Sequence, residues 1–272
     1  MQASVERASK PAVDELAAMP PSFAVAPNSA EFASVYWVLR ANPINCKTVS
    51  GFSDVLQRNF DFMNQSRQEA LLLLGPTGSG KTPLGHLIAE RGIHGRSTAH
   101  FDFGENLRAA ATRSTADALF SLEDITFLRH VLDTGALLDD KDFPIAERIL
   151  KWFIRCSASA PNTLIALNGL PRHTGQAKAI EPILDERTVV QLTCSPRTVF
   201  ERIVANTGGD RTTRIDDELP AIERKLEIFA DRTLPLVQHY EQTGARMVTI
   251  DVTIDMSPLA MWQLLEQRLQ LQ

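Results

Sequence analysis

The chain has 272 residues and a formal net charge of −5, with 44% hydrophobic and 22% charged residues. Its length suits one large domain, or a domain of about 200 residues with an appendage, and its acidic balance argues against the basic surface that broad nucleic-acid binding requires. Three widely spaced cysteines, Cys46, Cys156 and Cys194, contain no CxxC pair, so they suggest neither a disulfide framework nor a zinc site.

The first 30 residues carry Pro11, Pro20, Pro21 and Pro27 and few large apolar side chains, a composition that reads as a flexible or extended lead. Residues 31–68 read as structured, with a helix expected in "GFSDVLQRNFDFMNQ", but hold no motif. Residues 1–68 are therefore expected to form an N-terminal extension of unknown role, followed by a domain over 69–272. No apolar run reaches the ~18 residues of a membrane span, and the start lacks a basic stretch followed by an apolar one. The expected setting is cytoplasmic, as a monomer without membrane or nucleic-acid partners.

The stretch "EALLLL" suits a buried parallel strand. It runs into Gly75-Pro76-Thr77-Gly78-Ser79-Gly80-Lys81-Thr82, the Gly-x-x-x-x-Gly-Lys-Thr spacing of a phosphate-binding loop. The glycines let several N–H groups converge on one anion, Lys81 adds a point charge and Thr82 a hydroxyl for Mg²⁺, while the following helix contributes its positive dipole end. "PLGHLIAERG" reads as that helix, with Pro83 in its first turn and Gly92 as its stop.

Further apolar or β-branched runs occur at 99–103, 162–169, 187–194 and 245–252, separated by helical patterns. Five strands alternating with helices predict an α/β fold with a parallel sheet covered on both faces. In such sheets ligands bind beyond the carboxyl ends of the strands. After the second strand stands "FDFGENLRAAAT" with Arg108, and after the third "LNGLPRHTGQA" with Arg172 and Gln176. After the fourth come "SPRTVFERIVAN" and "TGGDRTTRIDDE", with Arg211, Arg214, Asp216 and Asp217. Cationic side chains recurring at three strand ends favour a site for several phosphates, because guanidinium forks match phosphate oxygens in pairs. The histidines show no ligand-like spacing, although His173 stands beside Arg172.

From about residue 69 onward the chain resembles the adenylate kinases and, more broadly, the nucleoside monophosphate kinases. "FDFGENLRAA" resembles their STGDxLR stretch, and "LNGLPRHTGQA" resembles LDGFPRTxxQA. "RIDDELPAIERKLEIF" resembles RxDDxxxxxxxRLxxY, and "TLPLVQHY" followed by "VTIDV" resembles the usual end. The resemblance implies a P-loop fold with a monophosphate-binding insertion at about 103–160 and a short lid at about 203–215. It implies phosphoryl transfer from ATP with Mg²⁺ to a nucleoside monophosphate, AMP being favoured.

In that reading Lys81, Arg172, Arg211 and Arg214 are catalytic, and the loop residues Gly75 to Thr82 hold ATP with Arg202 against the donor adenine. Phe103, Gly104, Arg108, Gly169, Arg172 and Gln176 form the monophosphate site, in which Gln176 reads the base. Asp216, Asp217 and Lys225 belong to the lid, and Thr82 binds Mg²⁺. Several positions depart from the pattern: Asn168 replaces the aspartate that supports Mg²⁺ in the outer shell, Phe103 replaces a threonine, and Asn206 and Lys225 replace arginines. Three alternatives stay open. One is another P-loop small-molecule kinase; another is a nucleotide-binding protein with little turnover whose N-terminal extension docks a partner. The third, a chaperone-type or nucleic-acid ATPase, is disfavoured because the sequence shows no separate acidic strand end with a sensor arginine.

Overall fold

A computed structural model describes residues 67–116, 119–136, 138–157, 162–210 and 218–270. The expected helix within 51–65, and the lid residues Arg211, Arg214, Asp216 and Asp217, lie outside the described residues.

Strand β1 (Gln68–Leu74) carries an unbroken apolar run because both of its faces are covered. It lies between β3 (Leu164–Asn168) and β4 (Leu184–Thr193), flanked by β2 (Thr98–Asp102) and β5 (Arg246–Asp251), in the order β2-β3-β1-β4-β5. All four pairings are parallel. Successive side chains of β1 alternate between faces. Ala70, Leu72 and Leu74 join Phe101, Ile165, Leu167 and Val189 on one side. Leu71 and Leu73 join Leu84, Ile88, Ala166, Val190, Ile250 and Met261 on the other.

The second face is covered by α1 (Lys81–Arg91) and α9 (Pro258–Gln270), which pack on each other. Gly92 stops α1 with φ 76°, a backbone conformation that glycine adopts readily. On the first face, α2 (Phe103–Ala111), α3 (Leu122–Thr134) and α4 (Phe143–Ser157) lie between β2 and β3 in the chain. Phe101 of β2 meets Phe153 of α4 edge to face at 5.0 Å, which ties that helix to the sheet. Helices α5 (Thr174–Ile180), α6 (Pro196–Val204), α7 (Leu219–Ile228) and α8 (Leu236–Gln242) complete the described residues. None of their helices is long and apolar enough to cross a membrane.

Of the boundaries that differ from the sequence expectation, two have a local physical cause. Phe103 opens α2 instead of ending β2, because the Asp102 side chain accepts a hydrogen bond from the Glu105 amide and turns the chain into a helix. Strand β4 begins at Leu184, three residues early, because its first residues pair with Gln68 to Ala70 across a bulge at Glu186 and Arg187.

Candidate active site

The loop after β1 owes its shape to close approaches and unusual backbone angles. A Cβ on Gly75 would stand 2.8 Å from the Leu192 carbonyl oxygen of β4, so only glycine lets the loop pass over that strand. Gly80 (φ 94°) needs the same freedom. Ser79 Oγ closes the turn by donating to the Pro76 carbonyl at 2.8 Å. Gly80 caps α1 without a side-chain acceptor, leaving the helix's first amides available to an anion. Lys81 Nζ lies across the loop, donating to the carbonyls of Gly75 (2.6 Å) and Pro76 (2.7 Å).

Thr82 is part of a three-residue cluster that the sequence reading missed. Its Oγ1 donates to Asp102 Oδ2 at 2.7 Å. Asn168 Nδ2 donates to both Thr82 Oγ1 (3.0 Å) and Asp102 Oδ2 (2.7 Å). Asp102 and Asn168 are paired residues at the carboxyl ends of β2 and β3, and both are buried. Burial works against ionisation of Asp102. The Thr82 hydrogen bond, the nearby His100, the Glu105 amide and the charge of Arg108 outweigh it and hold the carboxyl below its ordinary pKa. The sequence signal for Asp102 is its position at the ligand edge of the second strand, just before Phe103, Gly104 and Arg108.

The cleft over this edge also contains Arg108 from α2 and Arg172 from the turn after β3. Both side chains are exposed, and among the described residues neither guanidinium has an ion-pair partner. The Arg172 backbone is held at both ends: its N–H donates to Gln176 Oε1 at 2.8 Å, and its carbonyl accepts from Thr233 Oγ1 at 2.9 Å. Gly104 and Gly169 line the same cleft, the latter at φ 82°.

Three residues sit differently from expectation. Gln176, expected to read a base, is 2% exposed and has both ends of its amide engaged: Nε2 donates to the Leu138 carbonyl at 3.0 Å, and Oε1 takes the Arg172 N–H. It borders the cleft as a strut between two loops. Phe103 is 8% exposed and packs with Phe101 in the core, so little of its ring is offered to a ligand. Arg202, expected against the donor adenine, is also 2% exposed. Its guanidinium donates to the carbonyls of Thr253 (2.6 Å), Ile254 (3.0 Å), Met256 (3.0 Å) and Gly78 (3.2 Å). These carbonyls take the Nε and Nη1 hydrogens of the buried guanidinium, whereas Nη2 has no hydrogen-bond partner among the described residues and the residue still borders the cleft. His173 likewise caps α5, accepting from the Gln176 amide. Lys225 of α7 also lines the cleft.

A parallel sheet with this loop at its carboxyl edge, beside two arginines on a shared cleft, defines a P-loop phosphotransferase. More narrowly, the chain belongs to the adenylate kinase family of nucleotide kinases. It is 30% identical over 197 residues to the adenylate kinase of Sinorhizobium medicae (strain WSM419), a match covering 68% of this chain and 92% of that protein. It is 31% identical over 195 residues to the adenylate kinase of Rhizobium meliloti (strain 1021), with the same coverage of both. UMP-CMP kinase 1 of Oryza sativa subsp. japonica is 24% identical over 177 residues, 64% of each chain. A gluconokinase structure from Sinorhizobium meliloti 1021 aligns over 76% of this chain and 98% of its own, at 19% identity and TM-score 0.39. No family model matches the chain.

Proposed function

We propose that the protein transfers the γ-phosphoryl group of ATP to a nucleoside monophosphate, with AMP as the favoured acceptor. One observation carries this reading: the cleft joins the phosphate loop to Arg108 and Arg172, two exposed arginines without ion-pair partners among the described residues. A second phosphate would supply those partners. The adenylate kinase names of the relatives support AMP.

In this reading the phosphate-loop amides and Lys81 hold the donor phosphates, so that Lys81 exchanges loop carbonyls for phosphate oxygens on binding. Arg108 and Arg172 hold the acceptor phosphate in line with the γ-phosphorus. The hard oxygen donors of Thr82 and Asp102 fit Mg²⁺, which is held by few protein groups together with substrate phosphates. When bound with ATP, the ion neutralises developing charge on the phosphate oxygens. No side chain has to remove a proton, because the attacking oxygen belongs to an ionised phosphate. Closure of the lid, with Arg211 and Arg214, would exclude water that otherwise hydrolyses ATP. Lys225 adds positive charge from α7.

Base selection rests on the loop held by Gln176, since a base that engages the Gln176 amide must replace the Leu138 carbonyl. Incubation with Mg·ATP and each monophosphate in turn, followed by product analysis, tests the proposal. ADP formation fastest with AMP is the expected result; CMP or UMP clearly ahead would reassign the acceptor, and no diphosphate from any monophosphate would overturn it.

A further inference from the structure

Resting on the reading of the loop as a Mg·ATP site, but not on the identity of the acceptor, we infer that Asp102 is the carboxylate that positions the divalent cation at Thr82, and that Asn168 is neutral because it serves Asp102. The loss of an acidic residue at position 168 then does not leave the site without a carboxylate: the carboxylate stands on the neighbouring strand.

The hydrogen-bond inventory supports this assignment. Asp102 Oδ1 accepts the Glu105 amide at 3.0 Å, so that oxygen belongs to the helix cap. Oδ2 accepts from both Thr82 and Asn168. Thr82 Oγ1 gives its proton to Oδ2 and accepts one hydrogen from Asn168, which leaves one lone pair on the hydroxyl. A hydroxyl polarised by an ionised carboxylate presents that lone pair as a better donor to a hard cation. Asn168 spends both amide hydrogens on this pair. A second carboxylate at position 168 would set two negative charges at the 2.7 Å separation that the amide nitrogen now occupies, an arrangement that forces one of them to take a proton.

The test compares dissociation constants for a non-hydrolysable ATP analogue with Mg²⁺ and with chelator, without any acceptor. Asp102→Asn keeps a good helix cap and removes the charge. It should weaken analogue binding with Mg²⁺ by about 10- to 100-fold and tighten binding without metal, because a repelling negative charge is gone. The double variant Asp102→Asn/Asn168→Asp returns a carboxylate to the adjacent strand and should recover most of the metal dependence. If Asp102→Asn does not fold, Asp102→Ser, which caps through its hydroxyl, carries the same comparison. Equal weakening under both conditions would reduce Asp102 to a structural cap and overturn the inference, as would no change in either. Because no monophosphate is present, failure of the AMP assignment leaves this result intact, and a lost metal effect leaves the acceptor assay intact.

Discussion

In the proposed reading, Lys81 serves the donor half of the site and the two cleft arginines its acceptor half. Lys81 Nζ donates to two loop carbonyls that phosphate oxygens would replace in the proposed reading, so Lys81→Ala should abolish transfer and strongly weaken ATP binding while leaving the fold intact. Calorimetric titration and a turnover assay check both, and an unchanged turnover number would remove the loop from the mechanism. Arg108→Ala and Arg172→Ala should each cost ~2–4 kcal/mol in kcat/KM for the monophosphate, the range for a lost charge-assisted pair in a closed site. ATP affinity should hardly change in either variant. Equal loss of ATP binding in both would place these arginines on the donor side. The cleft position of Arg108 and Arg172 was legible in the sequence because each follows a strand end within a short motif. The place of Asp102 was not, because its contacts are with Thr82 and Asn168, residues distant in sequence.

Between elements, α1 meets β2 through a glycine. A Cβ on Gly85 would fall 2.2 Å from Nε2 of His100, whose ring also stacks edge to face with His86 at 5.0 Å. Helix and strand therefore approach more closely than an alanine allows. Gly85→Ala should destabilise the protein by ~1–3 kcal/mol through overpacking, although alanine favours a helix elsewhere. Thermal denaturation measures it, and a rise in Tm would show that the His100 ring yields at little cost. The helix itself was readable from "PLGHLIAERG"; its distance from the sheet was not, because residue 85 carries no signal of what stands opposite.

For the whole molecule, two buried groups set opposing pH limits. Burial first, then Glu181, raises the Glu186 carboxyl to about 7, despite the Tyr240 hydroxyl that donates to it at 2.6 Å. Its folded pKa exceeds its ordinary 4.5. Its neutral form is therefore favoured by folding, and stability falls as pH rises from about 4.5 to 7, by up to ~3 kcal/mol. Burial lowers His100 from 6.5 to about 4, so that group costs stability as pH falls from 6.5 toward 4, where the unfolded chain takes up the proton first. Denaturant melts should show Glu186→Gln flattening the loss between pH 5 and pH 8 while leaving the acid side unchanged. A parallel shift at every pH would exclude Glu186 as the titrating group. Glu186 lies at the start of β4, away from the carboxyl edge, so transfer should be little altered.

The sequence by itself determined the βα alternation, the phosphate loop and the family, because each is written in local spacing: glycines at positions 75 and 80, apolar runs of strand length, and motifs within a dozen residues. Tertiary structure alone decided which strands are neighbours, and with them which side chains share a hydrogen bond. The order β2-β3-β1-β4-β5 sets Asp102 beside Asn168 across 66 positions and brings Thr82 to both. Burial decided the rest. It turned Gln176 from an expected ligand contact into a strut and committed Nε and Nη1 of Arg202 to backbone carbonyls, because a polar group withdrawn from water takes the protein partners within its reach.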